Sequence, residues 1–179
     1  RTAFTYDAYG NVTQTVEQGE VGLVGDERTS VTEYALNERD WLVGAPARTA
    51  VHAGASALAP LVSQRRFFYD GSLDPLALPS QGRLTQEEEW LDVELDPATR
   101  TPVVAARWLA TKLTYDQFGN VASVTDALGR TTKNAYDATG TYLVQIDNVL
   151  THTRQLVYDP RFGAVTSSTD PNGQTITTE

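Results

Sequence analysis

The motif Tyr-Asp-x-x-Gly recurs along this chain, at Tyr6-Asp7 to Gly10, Tyr115-Asp116 to Gly119 and Tyr136-Asp137 to Gly140. Variants stand at Tyr69-Asp70-Gly71 and at Tyr158-Asp159 to Gly163. Asp126 to Gly129 and Asp170 to Gly173 repeat the spacing without the tyrosine. Asp suits the first position of a type I turn because its carboxylate accepts backbone N–H groups further along, and Gly suits the fourth because that position is left-handed. A Cβ there costs about 1–2 kcal/mol. Runs rich in Val, Thr and Tyr separate these turns, so the pattern reads turn, strand, turn, strand. Tyr115, Tyr136 and Tyr158 follow at intervals of 21 and 22 residues. A fixed period of that length marks an array of supersecondary units that bury their apolar faces against neighbours. One period is one β-hairpin.

The fold class expected is therefore all-β: antiparallel hairpins forming a curved or spiralling sheet, with irregular loops in the middle. We read residues 1–179 as one segment, with a first repeat and loop over 1–25, degenerate repeats with insertions over 26–112, and regular repeats over 113–179. Residues 4–18 nearly copy 113–124. The glycines of 19–25 match neither a dinucleotide fingerprint nor a P-loop and read as a plain loop. Residues 29–34 and 41–43 are strand-like and separated by Asn37-Glu38-Arg39-Asp40; Tyr34 has lost its Asp to Ala35. Residues 44–51 begin another strand, and 52–60 form a surface loop or a short helical turn. Residues 72–81, with Pro75 and Pro79, interrupt a hairpin that resumes at 82–85. Residues 87–95 are a strand with a turn at 96–99, unless Thr85-Gln86-Glu87-Glu88 caps a short helix. Residues 174–179 are half a hairpin.

Asp and Glu number 23 against 14 Lys and Arg, a net charge of −9, and no basic cluster exceeds Arg65-Arg66. Nucleic acid and anionic membrane surfaces both need clustered positive charge and are excluded as partners. No window approaches the length of a membrane span. There is no Cys, so thiolate chemistry and disulfides are absent. The chain lacks Met and starts on Arg1 in mid-strand, so we expect a piece of a longer protein. Asp92, Glu94 and Asp96 alternate with apolar residues and share one strand face; we read them, and Glu87-Glu88-Glu89, as a solvated outer face, because a flat strand does not wrap a Ca²⁺ ion. His52 and His152 lack metal-ligand spacing, and Ser56 lacks a nucleophile elbow. No catalytic, cofactor or metal residues are expected, and the chain is not read as an enzyme. Tyr6, Tyr34, Tyr69, Tyr115, Tyr136 and Tyr158 are expected to form the core between hairpins. The rival reading uses aromatic rings, Trp41, Trp90 and Trp108 among them, as sugar-stacking platforms. Gly119 is expected to need the left-handed conformation and Gly54 not.

The motifs Tyr6-Asp7-x-x-Gly10-Asn11-Val12, Tyr115-Asp116-x-x-Gly119-Asn120-Val121, Thr125-Asp126-x-x-Gly129-Arg130-Thr131, Tyr136-Asp137-x-x-Gly140 and Tyr158-Asp159 resemble the YD repeats of the Rhs family. That family includes bacterial polymorphic toxins, the B components of Tc toxins and the teneurins. The middle of the chain, with Trp41-Leu42-Val43-Gly44-x-Pro46, Phe68-Tyr69-Asp70-Gly71 and Gly82-Arg83-Leu84-Thr85, resembles Tc-toxin B components and SpvB-related proteins. The resemblance implies a β-ribbon spiralling into a hollow shell around an effector polypeptide, in a secreted or surface-exposed bacterial protein. It also implies partners: neighbouring repeats and the enclosed effector. A third reading makes the chain an assembly interface for another toxin subunit, at the insertion between Gly71 and Gly82, because long loops on repeat scaffolds often carry contacts. Asp170-Pro171-Asn172-Gly173 lacks the following glycines of the family's self-cleaving signature, so cleavage is not carried over. Carbohydrate binding is the rival function.

Overall fold

The computed structural model describes residues 1–20, 22–23, 25–91 and 107–178. Among these residues are thirteen strands and no helix: β1 (Thr2–Tyr6), β2 (Val12–Glu17), β3 (Arg28–Asn37), β4 (Leu42–Ala53), β5 (Leu61–Tyr69), β6 (Leu84–Leu91), β7 (Arg107–Tyr115), β8 (Val121–Thr125), β9 (Thr131–Tyr136), β10 (Leu143–Asp147), β11 (Thr153–Asp159), β12 (Ala164–Thr169) and β13 (Thr175–Thr177). Strand order follows chain order. The chain forms two units, Arg1–Ala110 and Thr111–Glu179.

In the first unit β1 to β6 pair in succession, all antiparallel. In the second, the Lys112–Tyr115 part of β7 and β8 to β13 do the same. The expected all-β hairpin array is what forms. In such a meander alternate turns share one end of the sheet. The connections 7–11, 38–41 and 70–83 share an end in the first unit. In the second, 116–120, 137–142 and 159–163 lie at one end, and 126–130, 148–152 and 170–174 at the other.

Each repeat tyrosine faces a β-bulge. Tyr6 pairs with Val12, Tyr34 with Pro46, Tyr69 with Leu84, Tyr115 with Val121, Tyr136 with Leu143 and Tyr158 with Val165, and in every case the register slips by one residue beside the tyrosine. The extra residues are Thr13, Ala47, Thr85, Ala122, Val144 and Thr166. A bulge bends its strand and increases local twist. Three of the extra residues are threonines that brace the bulge by donating to the carbonyl just before the tyrosine: Thr13 to Thr5 at 3.3 Å, Thr85 to Phe68 at 3.1 Å and Thr166 to Val157 at 3.3 Å.

Burial corrects the tyrosine-core expectation. Among the described residues the side chains closed off from solvent are Thr29, Ala35, Ala47, Phe68, Pro75 and Pro79, whereas Tyr6 is 57% exposed and the other repeat tyrosines are half-buried. Each unit is one layer of sheet, and a single layer has little stacked on it to cover a ring, Phe68 being the exception among the described residues. What it encloses besides are small strand residues and two prolines of the 72–81 loop.

Other expectations change as well. Residues 42–53 form one strand, with Pro46 beside the bulge at Ala47. Proline is tolerated there because a bulge interrupts the ladder. The helix-cap alternative at Thr85 fails, since Gln86, Glu87, Glu88 and Glu89 all pair with β5. Glu87 and Glu89 keep to a solvated face, 3.5 Å and 3.7 Å from the exposed Arg65, whereas Glu88 lies on the other face, ion-paired with Arg66 and largely covered. Gly54 has φ 142 with Ala59 Cβ 2.9 Å from where its own Cβ would stand, so it is left-handed like Gly119 at φ 89. Residues 54–60 form the loop, closed by Ala59 N–H donating to Ser56 O at 3.0 Å. Residues 72–81 do interrupt a hairpin, since Tyr69 pairs with Leu84 across them. The strand face at Asp92, Glu94 and Asp96, and the 96–99 turn, lie outside the described residues.

Candidate functional site

The repeated chemical device is the turn carboxylate. Asp116 Oδ1 accepts the N–H groups of Phe118 at 2.8 Å and Asn120 at 2.9 Å, and the Gly119 N–H closes the turn onto Asp116 O at 3.2 Å. Asp7, Asp126 and Asp170 accept the matching pairs, Tyr9 and Asn11, Leu128 and Arg130, Asn172 and Gln174. Asn148 does the same for Leu150 and His152. The Asp137 turn is one residue longer, with Thr141 and Tyr142 as donors, and Asp159 takes the Arg161 N–H and guanidinium. Donors aimed at a carboxylate favour its charged form. Partial burial pushes Asp116 up, but the backbone and side-chain bonds from Asn120 outweigh it and hold the carboxyl low. The Thr139 hydroxyl, followed by the Tyr142 N–H, lowers Asp137 to about 2.

The turns on the tyrosine side are linked one to the next. Asn11 bonds its own turn at Asp7 (2.8 Å) and also the Val43 carbonyl beyond the next turn on that side, at 2.6 Å. Tyr9, at the tip of the first turn, donates to Glu38 and meets the Trp41 ring edge-on at 6.1 Å. Asn37 then donates to Pro79 O of the following loop at 2.7 Å. The second unit repeats the scheme. Asn120 donates to Gly140 O at 2.8 Å, and a Cβ on Gly140, at φ 68, would overlap the Phe118 ring. Tyr142 donates to Pro160 O at 3.2 Å and stacks on Tyr158 at 4.9 Å. At the opposite end of this unit a cleft of about 690 Å³ opens between turns, lined by Gly129, Lys133, Asp147, Asn148 and Thr151 among others.

The repeat tyrosines contribute through their hydroxyls. Tyr34 donates to Val12 O at 3.0 Å, and Tyr69 to Pro46 O at 2.9 Å. Val12 and Pro46 are the residues that face the preceding repeat tyrosine, so each ring reaches back to the bulge of the hairpin before it. Asn134 does this for Val121 at 3.0 Å. Asp70 departs from the pattern: its carboxylate accepts the N–H groups of Ser80, Gln81, Gly82 and Arg83 at 2.7–3.1 Å and anchors the whole 72–81 insertion.

One charged cluster lies inside the first unit. The Arg66 guanidinium carbon sits 3.6 Å from the centre of the Trp108 ring while the same group pairs with Glu88. One face of the Trp108 ring is thereby covered, and the residue is half-buried. His52 Nδ1 lies 2.8 Å from Ala59 O and His152 donates its backbone N–H to Asn148, so both histidines serve their loops. Among the described residues no three carboxylate or imidazole groups converge on one point.

The structure thus places Tyr6, Asp7, Gly10, Tyr69, Asp70, Tyr115, Asp116, Gly119, Tyr136, Asp137, Gly140, Tyr158, Asp159 and Gly163 at one end of their sheets, and Asp126, Gly129, Asp170 and Gly173 at the other. The linking residues Asn11, Asn120, Tyr9, Phe118 and Tyr142 were missed by sequence reasoning. The shared Gly-Asn at 10–11 and 119–120, with an aromatic just before each glycine, was the available signal.

No protein-family model matches the chain, and no curated protein matches it. Among solved structures it is similar to chains of Tc toxin assemblies. One is TcdB2-TccC3, at 14% identity and TM-score 0.35 over 98% of this chain and 11% of that one. Another is the Photorhabdus luminescens Tc holotoxin pore, at 13% identity and TM-score 0.34 over 98% of this chain and 10% of that one. The chain spans about a tenth of the length of the chains it resembles.

Proposed function

We propose that this chain is scaffold: a stretch of wall in the hollow β-shell of a large secreted toxin of the Rhs and Tc type, enclosing an effector polypeptide. The observation that carries this reading is the single-layer array whose hairpins are linked turn to turn at one end. A lone hairpin is marginal in water, and stability comes from strands sharing a sheet. Within each unit successive hairpins are joined by side-chain bonds, which holds a sheet together without a thick core. The YD motifs give the family to which such a wall would belong.

The rival carbohydrate-binding surface needs coplanar exposed rings. Tyr9 stands at 87° to Trp41, and Trp108 lies under Arg66, so these rings form no such platform. The test is limited proteolysis of the full-length polypeptide that contains this chain. Wall function predicts a long protected segment outside the repeats, released in an Asn120→Ala, Tyr142→Phe double variant. A wild-type protein in which no such segment is protected overturns the shell reading, whatever the stability of the repeats.

A further inference from the structure

Trp41 occupies a seat that suits it poorly. It is the last residue of the β3–β4 turn, its N–H closes onto Glu38 O at 3.3 Å, and its φ is 56. That is the position held by Gly10, Gly119 and Gly129 in the turns that follow the motif. A bulky residue at positive φ is an outlier, and such strain concentrates where a residue is kept for contact and not for fold. The indole is also 72% exposed. Glycine would close the turn at lower cost, and among the described residues the one ring contact the indole makes is with Tyr9 of the preceding turn.

What surrounds the ring defines what fits it. Tyr9 touches it edge-on, and the Tyr9 hydroxyl bonds Glu38, so the indole is steadied from one side and open on the rest. Glu38 and Asp40 flank it. Arg39 lies 3.4 Å from Asp40, leaving the turn one negative charge in excess. The neighbouring 72–81 loop, tied to this turn through Asn37 and Pro79, adds Asp74 and the exposed Leu73 (92%) and Leu78 (73%). An aromatic face attracts a cation, and nearby carboxylates strengthen the attraction. We propose that Trp41 is the docking anchor for an arginine or lysine side chain of a basic, leucine-bearing peptide segment of a partner protein, seated on the 38–41 turn and the 72–81 loop. The overall charge of −9 favours such a partner.

The experiment uses the 179-residue chain and a fluorescein-labelled Arg-Leu-Arg-Leu-Arg peptide, with the Gln-for-Arg peptide and maltoheptaose as comparison ligands. Trp41→Gly is expected to keep or raise Tm, by up to about 2–4 °C from relieved strain, and to weaken the Arg peptide by about tenfold. Glu38→Gln with Asp40→Asn is expected to weaken it several-fold and to flatten its salt dependence. The proposal is overturned if the Arg peptide does not bind, if the Gln peptide binds as well, or if Trp41→Gly leaves binding unchanged. It is equally overturned if Trp41→Gly unfolds the chain, or if maltoheptaose and not the peptide depends on Trp41, which would make the surface a sugar site.

Discussion

Replacing Gly140 by alanine tests the turn-to-turn linkage directly. Two costs arise from the geometry. The backbone at φ 68 disfavours any L side chain, by about 1–2 kcal/mol. The new Cβ would also occupy the space of the Phe118 ring and force it off Gly140. Phe118 is 53% exposed, so displacing it forfeits about half of a phenylalanine's burial, about 1 kcal/mol. The expected total is about 2–3 kcal/mol. Gly129→Ala supplies the control: its φ is 78 with nothing within 4 Å of the new Cβ, so it bears the backbone cost alone. Urea unfolding of the two variants, each in wild-type and Phe118→Ala backgrounds, separates the terms as a double-mutant cycle. Gly140→Ala should cost about 1 kcal/mol more than Gly129→Ala, and the excess should vanish without the Phe118 ring. Equal costs, or an excess that survives Phe118→Ala, would refute the claim that one turn tip rests on the next.

Three further outcomes are expected. Thr151, a β-branched residue at φ 60 in a glycine seat, should stabilise the chain by about 1 kcal/mol when changed to glycine, read by thermal melting. Tyr34→Phe should lose about 1 kcal/mol in urea unfolding, because the Val12 carbonyl loses its hydroxyl donor while the ring remains. The carboxyls of Asp7, Asp116, Asp126, Asp137 and Asp159 have pKa values below their unfolded value of 3.8, Asp137 at about 2. Their contribution is therefore full above about pH 4 and is lost as the pH falls from there toward 2. In an acid titration followed by circular dichroism, Asp137→Asn should show a shallower loss of stability across that window.

Much of this fold was legible because turn chemistry is local. The Asp carboxylate reaches N–H groups two and four residues on, and the glycine adopts its own φ, so Asp116-x-x-Gly119 reads as a turn whatever lies around it. The same locality exposed the interruption at 72–81 through its prolines. The β4 strand was harder: Gly44 and Pro46 look like breakers, and only the pairing of Tyr34 with Pro46 shows that a bulge absorbs the proline. Glu88 escaped the sequence for the same reason, since its partner Arg66 is more than twenty residues away and becomes a neighbour only once β5 and β6 align.

What the sequence determined by itself is the hairpin: its turns, its strands and its period, each set by contacts within a few residues. What the tertiary structure decided is the use of the side chains the period repeats. A tyrosine at constant spacing is compatible with a buried ring or with a hydroxyl that reaches back one hairpin, and periodicity alone does not choose between them. The sheet chose by forming one layer in each unit, which leaves rings half-covered, and by placing a bulge opposite every repeat tyrosine, at two of which, Val12 and Pro46, the backbone oxygen is met by the hydroxyl of the next hairpin's tyrosine.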